Sequence, residues 1–183
     1  MANNITTDYK IIIIDTENVL YNGDTNIFDF HIKFHESLRD VYKIKILYDA
    51  VSFVTSNLDT PDENHPNNPA NLDTIYVNLN DYDRVRSYVI NQNTKTTNYI
   101  SCFDSIMIDK NKVKINNKIH DTTMFNDFNT NEGDFYLNPI ESQLNRINIT
   151  LRDKNNNLIT KSLVNRFVMK LCVYYNTKKI SIF

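Results

Sequence analysis

At 183 residues and 21.5 kDa, the chain can bury roughly two thirds of its unfolded surface in one core and is short for two full domains. Hydrophobic residues make up 41% and charged residues 23%, which argues against wholesale disorder. The net charge of −2 argues against a dedicated nucleic-acid binder, and two glycines are too few for glycine-rich phosphate-binding loops. We therefore expect one folded domain spanning 1–183.

The charge is unevenly distributed along the chain. The balance is −7 through Asn91 and +5 from Gln92 onward. In one interpretation, the two halves interleave in a sandwich and their charges neutralise locally. In the other, an acidic flank and a basic flank favour head-to-tail packing in a ring.

The sequence has features of a non-secreted, soluble protein. Residues 1–10 lack the basic start and long apolar core of a signal peptide, and Ile11–Ile14 is too short to span a bilayer. The two cysteines, Cys102 and Cys172, lie in apolar runs without a C-x-x-C pair. We expect both to be buried thiols in a reducing compartment.

The first elements along the chain are predicted strands. Tyr9–Asp15 is dense in isoleucine, which is typical of a strand covered on both faces. Asn22-Gly23 predicts a turn, and Phe28–Phe34 then alternates aromatic or aliphatic residues with polar ones. This second strand should bury an aromatic face.

A polar link, 35–40, separates that strand from the next predicted one, Val41–Val54, which is long enough that we expect a bend or bulge near Asp49. Residues 57–71 are rich in proline, asparagine and acids, which predicts an exposed loop that could be a contact surface. Its candidate interface residues are Pro61, Pro66 and Pro69.

Further strands are predicted at Leu72–Leu79 and Tyr99–Ile108. At the C-terminal end, Leu144–Asn157 and Leu163–Tyr175 alternate strongly and predict two antiparallel strands around an Asn-rich turn. About one residue in six is Asn, so we expect Asn to occupy left-handed turn positions in place of Gly.

About eight short strands without a sustained helical period predict an all-β, antiparallel sandwich. The residues expected to anchor its core are Phe28, Phe30, Ile32, Ile44, Ile46, Ile147, Ile149 and Leu151.

The last six residues, 178–183, end on apolar side chains. Either a partner covers them, or they close the chain's own sheet. The interface candidates in this tail are Ile180, Ile182 and Phe183.

No recognisable catalytic, cofactor or metal motif is present, so we expect no enzyme activity. His31 and His35 are four apart, but they lie in an alternating strand and lack a third ligand, so a metal site is not predicted. Acid clusters such as Asp81 and Asp83 lack calcium-loop spacing and are interpreted as solvated loop charge. Tyr and Phe residues could stack on sugars or bases, but core and interface roles are preferred.

Two segments resemble one known group of proteins. The block NPIESQLNRINITLRDKNNNLI, 138–159, is similar to a Pro-containing lead-in, alternating strand, acid and turn found in jelly-roll minor capsid and penton proteins of large eukaryotic DNA viruses and virophages. The runs at 11–34 and 38–53 resemble the opening of those proteins. Their turn usually contains Gly, whereas this chain has Lys154 followed by three Asn residues.

The resemblance implies an eight-stranded jelly roll that assembles with itself, as a pentamer or other ring, or with a major capsid protein. It implies a structural role in the virion capsid after assembly in the host cytoplasm, with no cofactor. The alternative is a cytosolic β-sandwich module that binds a sugar or a protein.

Overall fold

The computed structural model describes residues 5–53, 72–83, 85–91, 96–108, 114–115, 118–119, 123–127 and 134–178. Their regular structure is entirely β, and the predicted fold class is confirmed. No helix in these ranges is long or apolar enough to cross a membrane. The strands are β1 (Ile5–Asp15), β2 (Leu20–Tyr21), β3 (Asp29–Phe53), β4 (Thr74–Leu79), β5 (Val85–Asn91), β6 (Thr96–Cys102), β7 (Asp104–Met107), β8 (Lys114–Ile115), β9 (Lys118–Ile119), β10 (Thr123–Asp127), β11 (Asp134–Arg152) and β12 (Val164–Lys178).

Eight of these strands form one antiparallel sheet. Its order is β1-β12-β3-β11-β4-β7, and β2 and β10 pair additionally with β3. β5 pairs with β6, and β8 with β9, as separate two-stranded ribbons. The arrangement is consistent with the predicted jelly-roll type of sandwich.

β3 is the central strand and is longer than predicted. The polar link at 35–40 does not end it: Leu38 and Arg39 pair with β11, so the two predicted strands are one. The register against β12 shifts between Tyr48 and Ile46, which makes Leu47 an extra residue two positions from the predicted bend at Asp49. Side chains alternate between the two faces of a strand, so one extra residue changes which positions point inward. Even-numbered Ile46 is buried before the bulge, and odd-numbered Val51 is buried after it.

The predicted C-terminal hairpin is wrong. β11 pairs with β3 and β4, whereas β12 pairs with β3 and β1, so the two strands lie on opposite sides of β3. Of the expected hairpin, a single bridge remains, between Arg152 and Leu158. β3 is 25 residues long, and its backbone can hydrogen-bond to one strand on each side. β11 pairs along one side of β3 and β12 along the other, so these two strands do not pair with each other.

The turn between β11 and β12 has the predicted chemistry. Asn156 adopts φ 66°, the left-handed region in which Asn is tolerated, so the expected replacement of Gly is confirmed. The Asp153 carboxylate accepts hydrogen bonds from the backbone N–H groups of Asn155 and Asn157, each at 2.8 Å. The turn is thus closed by its own side chains.

One large hydrophobic cluster joins residues of β1, β3, β4, β7, β11 and β12. Of the predicted anchors, Ile32 is half-buried at the cluster's margin. The other seven anchors are fully buried: Phe28, Phe30, Ile44, Ile46, Ile147, Ile149 and Leu151.

Candidate interaction surface

The interface residues named from the sequence lie outside the described residues. The proline-rich loop has no described position, and β12 is the last described element before the apolar tail. This applies to Pro61, Pro66, Pro69, Ile180, Ile182 and Phe183.

The residues considered for metal binding do not converge. His31 Nδ1 lies 2.6 Å from Asn22 Oδ1, and His35 is exposed on the same strand. No group of three His, Cys, Asp or Glu side chains in the described ranges could hold a metal ion.

Strand β1 carries three exposed large apolar residues, more than any other described strand. It pairs only with β12 within the described chain, so it is an edge strand of the sheet. Tyr9, Ile11 and Ile13 are 58%, 49% and 62% exposed, whereas Ile14 is fully buried. The prediction of a strand covered on both faces is therefore wrong, because an isoleucine run does not reveal whether a second layer covers its outer side.

The exposed side of β1 continues across the sheet as a row of large side chains, the Tyr-Lys row. The register places Tyr9 opposite Tyr174, Tyr174 opposite Lys43, and Lys43 opposite Tyr136. The Tyr9 and Tyr174 ring centroids are 6.0 Å apart, and Lys43 Nζ lies 3.9 Å from the Tyr174 centroid and 5.7 Å from that of Tyr136. Four adjacent strands thus present one aromatic band with a cation inside it.

The cation in this band is held by a carboxylate from β11. Lys43 Nζ lies 3.1 Å from Asp134 Oδ2, and Lys45 Nζ lies 3.9 Å from the other carboxylate oxygen of Asp134. A hydrogen bond with Cys172, followed by burial, raises the pKa of Tyr174 to about 12. Tyr174 is therefore a neutral, hydrogen-bonding ring at physiological pH.

A polar cleft of about 510 Å³ opens elsewhere, between the end of β4 and the middle of β11. Asn80, at φ 49°, accepts the backbone N–H of Asn148 at 2.8 Å. The Tyr82 hydroxyl donates to Glu141 Oε2 at 3.3 Å, and burial raises the pKa of Tyr82. Together with Arg146, these groups offer both donors and acceptors to a ligand.

The ion pairs favour the interleaved interpretation of the charge asymmetry. Strands of the acidic half and the basic half alternate in the order β1-β12-β3-β11-β4-β7. Two ion pairs join a cation of the basic half to an acid of the acidic half: Arg166 with Asp15 at 2.5 Å and Lys154 with Asp73 at 2.6 Å.

No protein-family model matches the chain, and no curated protein matches it either.

Proposed function

We propose that the protein is a structural subunit of the capsid type, a minor capsid or penton protein that works by self-association and by docking onto a major capsid protein. The proposal joins the resemblance of 138–159 and 11–53 to such proteins with the all-β antiparallel fold. It places the protein in the virion capsid, after assembly in the host cytoplasm.

One observation carries the proposal: β1 is an edge strand with an exposed apolar side formed by Tyr9, Ile11 and Ile13. Free edges pair readily with other chains, and natural proteins usually shorten them, bend them or charge them. β1 instead runs for 11 residues in unbroken register with β12. Such a surface suits a protein whose neighbours in an assembly cover it.

The experiment measures the size of the purified protein by light scattering over a range of concentrations, with electron microscopy of the same samples. We expect a discrete oligomer in the wild type and a monomer in Ile11→Lys/Ile13→Lys, because both side chains are exposed and the fold should tolerate the change. Leu20→Lys and Met107→Lys, at residues 56% and 79% exposed on other strands, are matched controls that should still assemble.

A wild type that stays monomeric at every concentration contradicts self-association. The capsid assignment itself is tested by detecting the protein in purified virus particles, where a structural subunit stays with the particle through density-gradient separation. Its absence from the particles contradicts that assignment.

The polar cleft supports a second candidate, a sugar-binding module. Amide, carboxylate, guanidinium and phenol groups line it, and such a set can hydrogen-bond sugar hydroxyls. Titration calorimetry of a glycan panel tests this function. Saturable binding by a monomer, lost in Gln143→Ala/Arg146→Ala, would favour the module over the capsid subunit.

A further inference from the structure

We propose that β1 pairs antiparallel with β1 of a second copy of this chain, with the two-fold axis at Tyr9. This inference rests on the self-association in the proposed function and specifies a two-fold contact that closes as a dimer, whereas a ring of copies would need an additional head-to-tail contact. In this register, 5–13 of one copy lies against 13–5 of the other, so the central sheet continues across the contact. An edge strand supplies backbone donors and acceptors for such pairing.

Charge complementarity selects this register. Centring on Tyr9 places Asp8 opposite Lys10 of the second copy, and the symmetry repeats that pair on the other side of the axis. Asp8 and Lys10 are both exposed and can reach a neighbouring strand. Centring on Ile11 would instead place Asp8 opposite Ile14, which is fully buried, and would leave both charges without an opposite charge.

The exposed face is also continuous in this register. Tyr9 would lie beside Tyr9 of the second copy, so the Tyr-Lys row of one copy, which ends at Tyr9, meets the row of the other copy end to end. Ile11 would lie opposite Thr7 of the second copy. The contact therefore joins two aromatic bands into one, and cross-strand aromatic pairs stabilise such contacts.

The edge lacks two features that prevent pairing, a proline and a shift in register, although it carries the exposed charges of Asp8 and Lys10. β1 contains no proline, and its register with β12 runs without a shift from Ile5 opposite Lys178 to Asp15 opposite Val168. The Asp8 carboxylate accepts a hydrogen bond from Tyr9 N at 2.8 Å and one from the Tyr175 hydroxyl at 3.4 Å. Pairing across the axis at Tyr9 would replace the bond from Tyr9 N to Asp8 with a bond between the two strands. Lys10 of the second copy would then compensate the charge of the released Asp8 carboxylate.

Disulfide trapping tests the register. Tyr9 is the one position that would face itself across the axis. Its two Cα atoms would lie within the separation of about 4.4–6.8 Å that a disulfide requires. Tyr9→Cys should therefore form a disulfide-linked dimer of the protein when oxidised glutathione is added as the oxidant. The wild-type control should form none, because Cys102 and Cys172 are both buried. Circular dichroism verifies that the variant is folded.

Thr7→Cys is the matched control. The two Thr7 residues would be offset by four positions along the paired strands, about 14 Å, which is too far for a disulfide. Thr7→Cys mixed with Ile11→Cys should cross-link, because these positions face each other across the contact. Self-linking of Ile11→Cys, or of Thr7→Cys, would overturn the register.

Charge exchange provides an independent measurement. Lys10→Asp should raise the dissociation constant by about tenfold, since two exposed ion pairs become two repulsions. Asp8→Lys/Lys10→Asp exchanges the charges and should restore association. An unchanged dissociation constant in Lys10→Asp contradicts the proposed pairing.

Different results would contradict the β1 contact and the proposed self-association. If the wild type forms an oligomer but Tyr9→Cys does not cross-link, the β1 contact is wrong and self-association stands. If no oligomer forms under any condition, self-association fails first.

Discussion

Arg166 and Asp15 form a two-point ion pair: Arg166 Nε donates to Asp15 Oδ1 at 3.0 Å and Nη2 donates to Oδ2 at 2.5 Å. The pair connects the end of β1 to the start of β12. The adjacent Thr16 hydroxyl accepts the Phe167 backbone N–H at 3.0 Å. The edge strand is thus fixed at this end by polar contacts as well as by its ladder with β12.

Loss of this ion pair should make the free energy of unfolding depend less on pH in the acidic range. The hydrogen bond from Arg166 lowers the pKa of Asp15 below its ordinary 3.8, so its ionised form favours the folded state. That contribution is present above about pH 4 and is lost as pH falls through the lowered pKa. Asp15→Asn should therefore unfold more easily than wild type in urea titrations at pH 7, and the difference should shrink in acid below about pH 4.

Glu17→Gln is the control for that experiment. Its carboxylate lies 3.6 Å from Arg166 Nη2 but is 64% exposed, so its removal should change the unfolding midpoint little at either pH. An Asp15→Asn variant as stable as wild type at pH 7 would contradict the predicted contribution.

Truncation to Ala should destabilise the fold more at a fully buried core anchor than at the half-buried anchor, Ile32. Ile149→Ala should cost about 2–5 kcal/mol of unfolding free energy, because Ile149 is completely buried and its truncation leaves a cavity. Ile32→Ala removes the same atoms at the margin of the cluster and should cost clearly less. Equal losses in urea unfolding would contradict this order.

The turn at Asn156 should accept Gly and reject a β-branched residue. At φ 66°, Asn156→Gly should leave stability within a few tenths of a kcal/mol, whereas Asn156→Val should cost about 1–2 kcal/mol. Asn155→Val, one residue earlier, tests the effect of the side chain alone, since Asn155 is not among the positive-φ residues. Thermal unfolding of the three variants measures the difference.

The phenol of Tyr174 should lose its proton at an unusually high pH. Its pKa of about 12 has a hydrogen bond with Cys172 as its largest cause, so Cys172→Ala should lower that pKa toward 10. Ultraviolet titration of phenolate absorbance, with Tyr174→Phe subtracted, isolates this group. Since the neutral ring is favoured in the fold, its contribution to stability should be lost as pH rises from about 10 through 12.

Alternating side chains made much of the local structure predictable. Phe28, Phe30, Ile147 and Ile149 occur at every second position, and burial of one side of a strand follows from that spacing. The left-handed turn at Asn156 was predictable for a similar local reason, since few other residues tolerate that backbone conformation in a chain nearly without glycine.

The sequence by itself therefore determined that the protein is β-structured, that seven of the predicted anchors lie in its core and where one turn needs Asn. Only the tertiary structure decided that β11 and β12 lie on opposite sides of β3, and that β1 is an edge strand whose Ile11 and Ile13 are exposed. The physical reason is that alternation records the two faces of a strand, whereas its neighbours are chosen through backbone hydrogen bonds that are alike in every strand. The Tyr-Lys row exists only once those neighbours are set.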